Sequence, residues 1–185
     1  MELFSFVFQL LITLFAIDFV SGLVHWCEDT FGTENSPVTG KWIVIPNMIH
    51  HENPAAFLSK SWLESSWDLT VASLLIAFSG WLAGELHWQL MLFCFIGANA
   101  NQLHKYAHLP ENKVPLFIRF LRHTGILQTA RHHARHHSGE KNTAYCVVTP
   151  YLNPVLDSVK FWRFLEMITV PLFGAPRRED LRPRN

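Results

Sequence analysis

"LFSFVFQLLITLFAIDFVSGLV" occupies residues 3–24, and Asp18 is the only charged residue within it. A helix of about 20 predominantly apolar residues crosses the hydrocarbon core of a bilayer. The stretch meets that length, and it lacks the basic region and the small-residue cleavage site of a secretory signal peptide. It therefore predicts a first membrane span.

Two more apolar stretches follow at residues 67–84 and 86–104, with Glu85 between them. The first of these is short for a span, and a buried core helix is the alternative interpretation for it. Three such stretches in a chain of 185 residues favour a multi-pass membrane protein. We therefore expect an all-α fold with about three transmembrane helices, forming a single domain over residues 1–185.

The basic residues all lie on one side of this topology. Every Lys and Arg residue falls in the two polar segments, 25–66 and 105–185. Cytoplasmic loops carry an excess of these residues, so both segments are predicted to be cytoplasmic. The formal net charge is zero, and no basic field indicates a nucleic-acid partner. The three cysteines lie far apart and predict no disulfide framework.

The cytoplasmic segments have their own pattern. Residues 29–57 resemble a loop, 144–149 predict a short strand, and the polar tail 174–185 is expected to be frayed. Residues 114–127 and 153–167 carry apolar residues three and four apart, with basic residues between them. They predict amphipathic helices, which either lie in the membrane interface or pack against the cytoplasmic layer.

Histidines are concentrated in these same segments, and "ARHHARHH" (130–137) contains four of them. On a helix, residues four apart share one face, which is the geometry of the paired histidines in many metal sites. We therefore expect a metal site among the residues presented in this way: His25, Asp29, His50, His51, His104, His108, His132, His133, His136 and His137. Taken singly, each could be a hydrogen-bonding surface histidine, and this interpretation is preferred for His87 and His123.

Nine imidazoles exceed the four ligands of one tetrahedral zinc, so a site with two metals is the economical prediction. Imidazole suits zinc, copper, iron and nickel alike, and the residues do not choose among them. Asp18 lies on the same helical stripe as His25 and Asp29. It could orient His25 or form a hydrogen bond to another span.

Several of these stretches together resemble the lipid desaturase family. They are "DFVSGLVHWCEDTFG" (18–32), "HHENPAA" (50–56), "NQLHKYAH" (101–108), "HHARHH" (132–137) and "YCVVTPYLNPVLDSVKFWRFLE" (145–166). The resemblance covers about residues 18–178. The family includes enzymes of the plasmanylethanolamine desaturase type and of the plant fatty acid desaturase 4 type. It implies an enzyme of the cytoplasmic membrane face that uses two iron ions and dioxygen to desaturate a lipid chain.

The resemblance also implies roles for individual residues. The catalytic set would be His25, Asp29, His104, His108, His132, His133, His136 and His137, and His50 and His51 would bind metal with them. Glu64, Asp68 and Asn101 could be ligands or neighbours of ligands. Animal members carry histidine where this chain has Lys60, and relatives usually show Asp at the position of His123, so neither residue is assigned a metal role.

Electrons would come from a partner such as cytochrome b5 or ferredoxin, because the chain has no haem or dinucleotide motif. Arg119, Arg122, Arg131 and Arg135 could dock that donor or the headgroups of membrane lipids, or they could be ordinary positive-inside charge. "NQLHK", "HHARHH" and "FWRFLE" favour the plasmanylethanolamine type, which forms a vinyl ether in an ether phospholipid. The alternatives are an acyl-chain desaturase, a zinc hydrolase, and a metal transporter or storage protein.

Overall fold

A computed structural model describes residues 1–173, and within this range the fold is entirely helical. The predicted frayed tail, residues 174–185, lies outside the described residues. The α-helices are α1 (Glu2–Phe31), α2 (Ile45–Glu52), α3 (Pro54–Leu58), α4 (Trp62–Leu82), α5 (Trp88–Ala98), α6 (Ala100–Ala107), α7 (Leu116–His123), α8 (Ala130–His133), α9 (Leu152–Ser158) and α10 (Phe161–Phe173). A π-helical turn (Gly40–Val44) precedes α2, and a 3₁₀ turn (Glu111–Lys113) precedes α7.

Helices α1, α4 and α5 form the apolar part of the molecule, with α5 packed against both of the others. A capping box begins α4: the Ser61 hydroxyl accepts from the Glu64 amide, and the Glu64 carboxylate accepts from the Ser61 amide. The turn after α4 uses Gly84 at a φ of 74°, a left-handed conformation that suits glycine. The short connection, residues 83–87, lets α5 pack back against α4.

Large apolar side chains of these three helices face outward. Phe4 is 79% exposed and Phe95 is 69% exposed, and Leu11 and Leu74 are exposed as well. Soluble monomers rarely leave apolar patches of this extent uncovered, and such a surface is typical of contact with a membrane or with another protein. Among residues 1–173, one helix, α1, is long and apolar enough to cross a membrane, and α5 is a shorter apolar helix. The count of three spans stays a prediction.

The third predicted span is not one continuous helix. It was expected over 86–104, but α5 ends at Ala98 and α6 begins at Ala100. Asn99 lies at the break, where its side-chain amide donates to the Phe95 carbonyl and its side-chain oxygen accepts from the Trp62 indole. Asparagine competes with helical hydrogen bonds in this way, which explains the interruption. The break separates the apolar α5 from the histidine-bearing α6.

Two predictions for the polar segments are wrong. Residues 29–57 were expected to be a loop, but this region contains the π-helical turn, α2 and most of α3. Pro46 and Pro54 lie in the first turns of α2 and α3, where proline begins a helix without breaking it. Residues 144–149 were expected to be a strand, but among the described residues no strand is present to pair with them.

The two amphipathic segments are helical, as expected, but shorter. Residues 116–123 form α7, with Ile118 buried and Phe117 exposed. The second segment is split into α9 and α10 around Lys160, whose φ of 53° is incompatible with a continuous helix. Placement of these helices in the membrane interface stays a prediction.

Candidate metal centre

Five histidines bring their ring nitrogens within 4.8 Å of one another, and we call them the five-histidine group. α2 contributes His50, and α6 and its C-cap contribute His104 and His108. α8 and the turn after it contribute His133 and His137. Spacing of four residues therefore brings two pairs together, as the sequence predicts.

A second set of ligand atoms also lies within 4.8 Å, and we call it the aspartate group: His25, Asp29, His51 and His136. All four residues are buried. The three imidazoles present Nε2 to the carboxylate, at 3.8 Å for His25, 3.1 Å for His51 and 3.5 Å for His136. Asn47 donates to Asp29 Oδ1 at 2.7 Å and restrains the carboxylate.

Adjacent histidines are divided between the two groups. His50 and His51 follow one another on α2, and successive residues of a helix point about 100° apart. His136 and His137 are divided in the same way. The groups are nevertheless neighbours, since the ring centroids of His25 and His104 are 5.4 Å apart. The arrangement therefore offers two adjacent sites.

The contacts inside the five-histidine group fit a bound cation. His133 Nε2 lies 2.8 Å from His104 Nε2, 3.0 Å from His108 Nε2 and 3.2 Å from His137 Nε2. A neutral imidazole nitrogen carries either one proton or one lone pair, so it cannot satisfy three such contacts as hydrogen bonds. Two ligand nitrogens about 2.1 Å from one metal lie about 3.0 Å apart at an angle of about 90° and about 3.4 Å apart at the tetrahedral angle. The observed distances are close to the first of these values.

Burial keeps these imidazoles in the neutral form. Desolvation and neighbouring histidines lower the pKa of His108 to about 4 and the pKa of His137 to about 2. The same causes hold the pKa of His50 far below its usual value. Within residues 1–173, neither ring nitrogen of His50 has a hydrogen-bond partner. Neutral, buried and unpartnered imidazoles are the form that binds a metal ion.

His132 is the one predicted ligand that lies outside both groups. The structure places it half-buried, with its Nε2 3.4 Å from the side-chain nitrogen of Asn153. The predicted pairing with His136 assumed a continuous helix, but α8 ends at His133. The chain then turns, so His136 joins the aspartate group without His132.

Other residues singled out in the sequence also lie outside the groups. Glu64 caps α4, and Asp68 Oδ1 accepts from the backbone amide of the next residue. Asn101 donates to the Ser65 carbonyl. The exposed His123 lies 3.5 Å from Glu111. Sequence reasoning missed Asn47, although it lies four residues before His51 and this spacing could have indicated it.

An apolar cavity of about 680 Å³ adjoins the metal groups. His25, His50 and His104 form part of its wall, so it reaches both groups. Much of its remaining wall comes from α1, α4 and α5, including Ile17 and Gly97, and the π-helical turn, α2, α3 and α6 also contribute to it. Besides the histidines, its charged and polar lining residues are Ser21, Glu28, Lys41, Asn47, Lys60, Glu64, Ser65, Asp68, Ser73 and Asn101. Ligand sites of small molecules commonly have this volume and this mainly apolar lining.

The family model of the lipid desaturase domain matches residues 14–180. The chain is 32% identical to plasmanylethanolamine desaturase 1 of Mus musculus, over 89% of this chain and 65% of the mouse protein. It is 30% identical to plasmanylethanolamine desaturase of Myxococcus xanthus, over 90% of this chain and 61% of that protein.

A plant relative is equally similar. The chain is 32% identical to the chloroplastic fatty acid desaturase 4 of Arabidopsis thaliana, over 91% of this chain and 53% of the plant protein. The chain thus spans 53–65% of the length of these three relatives. No solved structure matches it. Because the family model covers nearly the whole chain, the chain belongs to the lipid desaturase domain family.

Proposed function

We propose that this lipid desaturase holds two iron ions, one in each group. The proposed ligands are His25, Asp29, His50, His51, His104, His108, His133, His136 and His137. Imidazole with a carboxylate suits iron, although it also suits zinc, and the family membership favours a redox metal. When bound, an iron pair supplies the capacity to use dioxygen for removing hydrogen from an unactivated C–H bond. We leave His132 out of the ligand set because it lies outside both groups.

The proposed reaction converts a –CH₂–CH₂– unit of a lipid chain into –CH=CH–. Two hydrogens leave the lipid, and two electrons and two protons are supplied from outside. Dioxygen accepts all four electrons and leaves as two molecules of water. The electrons come from a separate donor protein, of which cytochrome b5 and ferredoxin are the candidates.

The cavity is the observation that carries this proposal. It is mainly apolar, and histidines of both groups lie in its wall. An alkyl chain in the cavity would therefore pass directly beside the metal site. Ile17, Val24 and Leu69 line it and would keep bulk water from the reacting carbons. A hydrolase would instead need a water-filled approach to its metal.

The polar lining of the same cavity supports a reaction close to the lipid headgroup. Lys41 and Lys60 offer cations for a phosphate, and Glu64 and Asp68 offer carboxylates for an amine. Vinyl ether formation takes place at the first two carbons of an ether-linked chain, only a few bonds from such a headgroup. We therefore propose a plasmanyl phospholipid as substrate, with an ester-linked acyl chain as the alternative. The mouse and Myxococcus relatives carry the plasmanylethanolamine desaturase name.

We further propose an integral multi-pass membrane protein, of the bacterial inner membrane or endoplasmic reticulum type, with its metal site at the cytoplasmic face. Three apolar helices with exposed hydrophobic side chains support the spans. The placement of Lys and Arg residues in segments 25–66 and 105–185 supports the orientation. Labelling of single cysteines introduced near Glu85 and near Glu52 tests it, since the two sites should react from opposite sides of the membrane.

Metal content and lipid products together test the proposed function. The purified chain should contain about two irons, one per group. His50→Ala should lower this number, whereas the control His123→Ala, which changes an exposed histidine outside both groups, should not. With dioxygen, a reductant and a donor, ether phospholipid should give a product that mild acid cleaves. Stoichiometric zinc that persists under iron-replete, reducing expression would overturn the proposal.

An acid-stable alkene in an ester-linked chain would select the acyl-chain alternative. The proposal of two irons would then stand, and only the proposed substrate would change. Product formation without oxygen or reductant would contradict both versions, because each needs dioxygen as the electron acceptor.

A further inference from the structure

One extended segment runs between the apolar helices and the metal site, and we call residues 143–149 the strap. It has no regular secondary structure, yet every residue from Ala144 to Thr149 is buried. Buried backbone amides need hydrogen-bond partners, and no neighbouring strand provides them within residues 1–173. Side chains from other elements accept hydrogen bonds from these amides instead.

The apolar end of the strap is bound to Asp18 on α1. Asp18 Oδ1 accepts from the Val148 amide at 2.8 Å, and Oδ2 accepts from the Thr149 hydroxyl at 2.6 Å. One turn along α1, the Ser21 hydroxyl accepts from the Val147 amide at 3.2 Å. Asp18 is completely buried, so these bonds form out of contact with solvent. They explain an ionisable residue within an apolar helix.

The other end of the strap is bound to two histidines of the aspartate group. His25 Nδ1 lies 3.1 Å from the Tyr145 carbonyl, and His136 Nδ1 lies 2.8 Å from the Thr143 carbonyl. A carbonyl oxygen can only accept, so both rings carry their proton on Nδ1. Nε2 of each ring is then left with a lone pair, and both Nε2 atoms are directed at Asp29.

The five-histidine group shows no comparable arrangement. Within residues 1–173, the Nδ1 atoms of His50, His133 and His137 have no hydrogen-bond partner. Their rings pack against one another. The two groups therefore differ in how they are organised before any metal binds.

We propose that the strap sets the orientation and tautomer of His25 and His136, and that Asp18 is a positioning residue that holds the strap. Asp18 is seven residues before His25 on α1, so it acts from about 10 Å away. Residues that orient metal ligands commonly change metal affinity by about 10–100-fold when substituted. Loss of the Asp18 carboxylate should therefore lower the metal affinity of the aspartate group and leave the metal affinity of the five-histidine group unchanged.

The test compares Asp18→Ala with the conservative Asp18→Asn and with Thr13→Val. The asparagine keeps an acceptor for the Val148 amide, so it retains much of the strap's order. Thr13 is another buried polar residue of α1, and its hydroxyl donates to the Gln9 carbonyl. Thr13→Val therefore controls for loss of a buried polar group that does not contact the strap.

Two readouts are used on folded protein. In the metal-free protein, ¹⁵N NMR of the imidazoles should show His25 and His136 fixed with the proton on Nδ1, and Asp18→Ala should mix the tautomers. In the iron-loaded protein, Asp18→Ala should weaken binding of one of the two ions by about 10–100-fold. The Thr13→Val protein should match the wild type in both.

Unchanged tautomers and unchanged metal affinity in Asp18→Ala would overturn the proposal. Equal weakening of both ions in a folded variant would overturn it too, as would the same loss in Thr13→Val. If Asp18→Ala does not fold, Thr149→Val decides by the same readouts, since it keeps the bond from the Val148 amide to Asp18 and removes only the Thr149 hydroxyl, which donates to Asp18 and accepts from the Tyr151 amide. The metal readout rests on the proposed function, but the tautomer readout does not, so the two can fail separately.

Discussion

Gly97 lies where α5 meets α1 and α4, in the wall of the cavity. A Cβ atom at this position would lie 3.2 Å from Ser73 Oγ and 3.3 Å from Ile17 Cδ1. A larger side chain must therefore turn into the cavity or force the helices apart. We expect Gly97→Leu to close the cavity at this level and to limit the length of chain that can enter.

The depth of that obstruction follows from helix geometry. Ile17 is eight residues before His25 on α1, which corresponds to about 12 Å. A fully extended chain advances about 1.2 Å per bond, so about ten bonds fit between the metal site and the obstruction. Phe93, which also lines the cavity, lies one turn before Gly97 on α5. This turn of about 5.4 Å corresponds to about four more bonds of the lipid chain beyond the obstruction.

The effect on catalysis has an upper limit. Each methylene removed from an apolar site costs about 0.8 kcal/mol, so four of them cost about 3 kcal/mol. This corresponds to a loss of about 100-fold in kcat/KM. The displaced methylenes can remain in the bilayer, where the transfer cost is smaller, so we expect a loss of between about 10-fold and 100-fold.

The assay measures kcat/KM for substrates that differ only in the length of the reacting chain. Gly97→Leu should discriminate against chains longer than about ten carbons beyond the reacting pair, and it should process shorter ones as the wild type does. Ser79→Leu, at an exposed position of α4 outside the cavity lining, is the matched control and should not discriminate. An equal loss for short and long chains, with iron content unchanged, would refute this account of the cavity.

Three further substitutions test the packing around the site, each followed by unfolding in detergent. Gly22→Ala should destabilise the protein by about 1–3 kcal/mol, because its Cβ would lie 2.6 Å from Cys146 Sγ; an unchanged midpoint would show that the helix can move aside. Asn153→Ala leaves the buried amide and carbonyl of Cys146 without this partner and should cost about 2–3 kcal/mol, a loss that should be absent if Asn153 merely fills space. Ser61→Ala removes the hydroxyl that accepts from the Glu64 amide at the start of α4 and should cost about 1 kcal/mol without loss of iron; an effect below about 0.3 kcal/mol would mean that the cap is not needed.

The candidate ligands illustrate what can be predicted from spacing. His104 and His108 are four residues apart on or beside a helix, and the structure brings them into one group. The same rule failed for His132 and His136, because it requires a helix that continues and α8 is a single turn. Spacing predicts which residues share a face, and it does not predict where a short helix ends.

The predicted spans also separate what local sequence predicts from what depends on packing. Apolar composition predicted helices in all three places, and α1, α4 and α5 are helical there. The interruption at Asn99 was not predicted, because it depends on the Trp62 indole, which donates to Asn99 from a helix that is distant in the sequence. Such a contact exists only once α4 and α5 are packed.

By itself, the sequence determined the all-helical fold class, the family and nearly all of the candidate ligands. The fold class and the candidate ligands follow from composition and from local spacing, which act within a few residues of chain, and the family follows from the motifs that resemble it. Only the tertiary structure decided that adjacent histidines serve different groups, that a cavity reaches both groups, and that Asp18 binds the strap. Asp18 and Val148 are 130 residues apart, and no local pattern records a hydrogen bond that forms only when distant segments are brought together by packing.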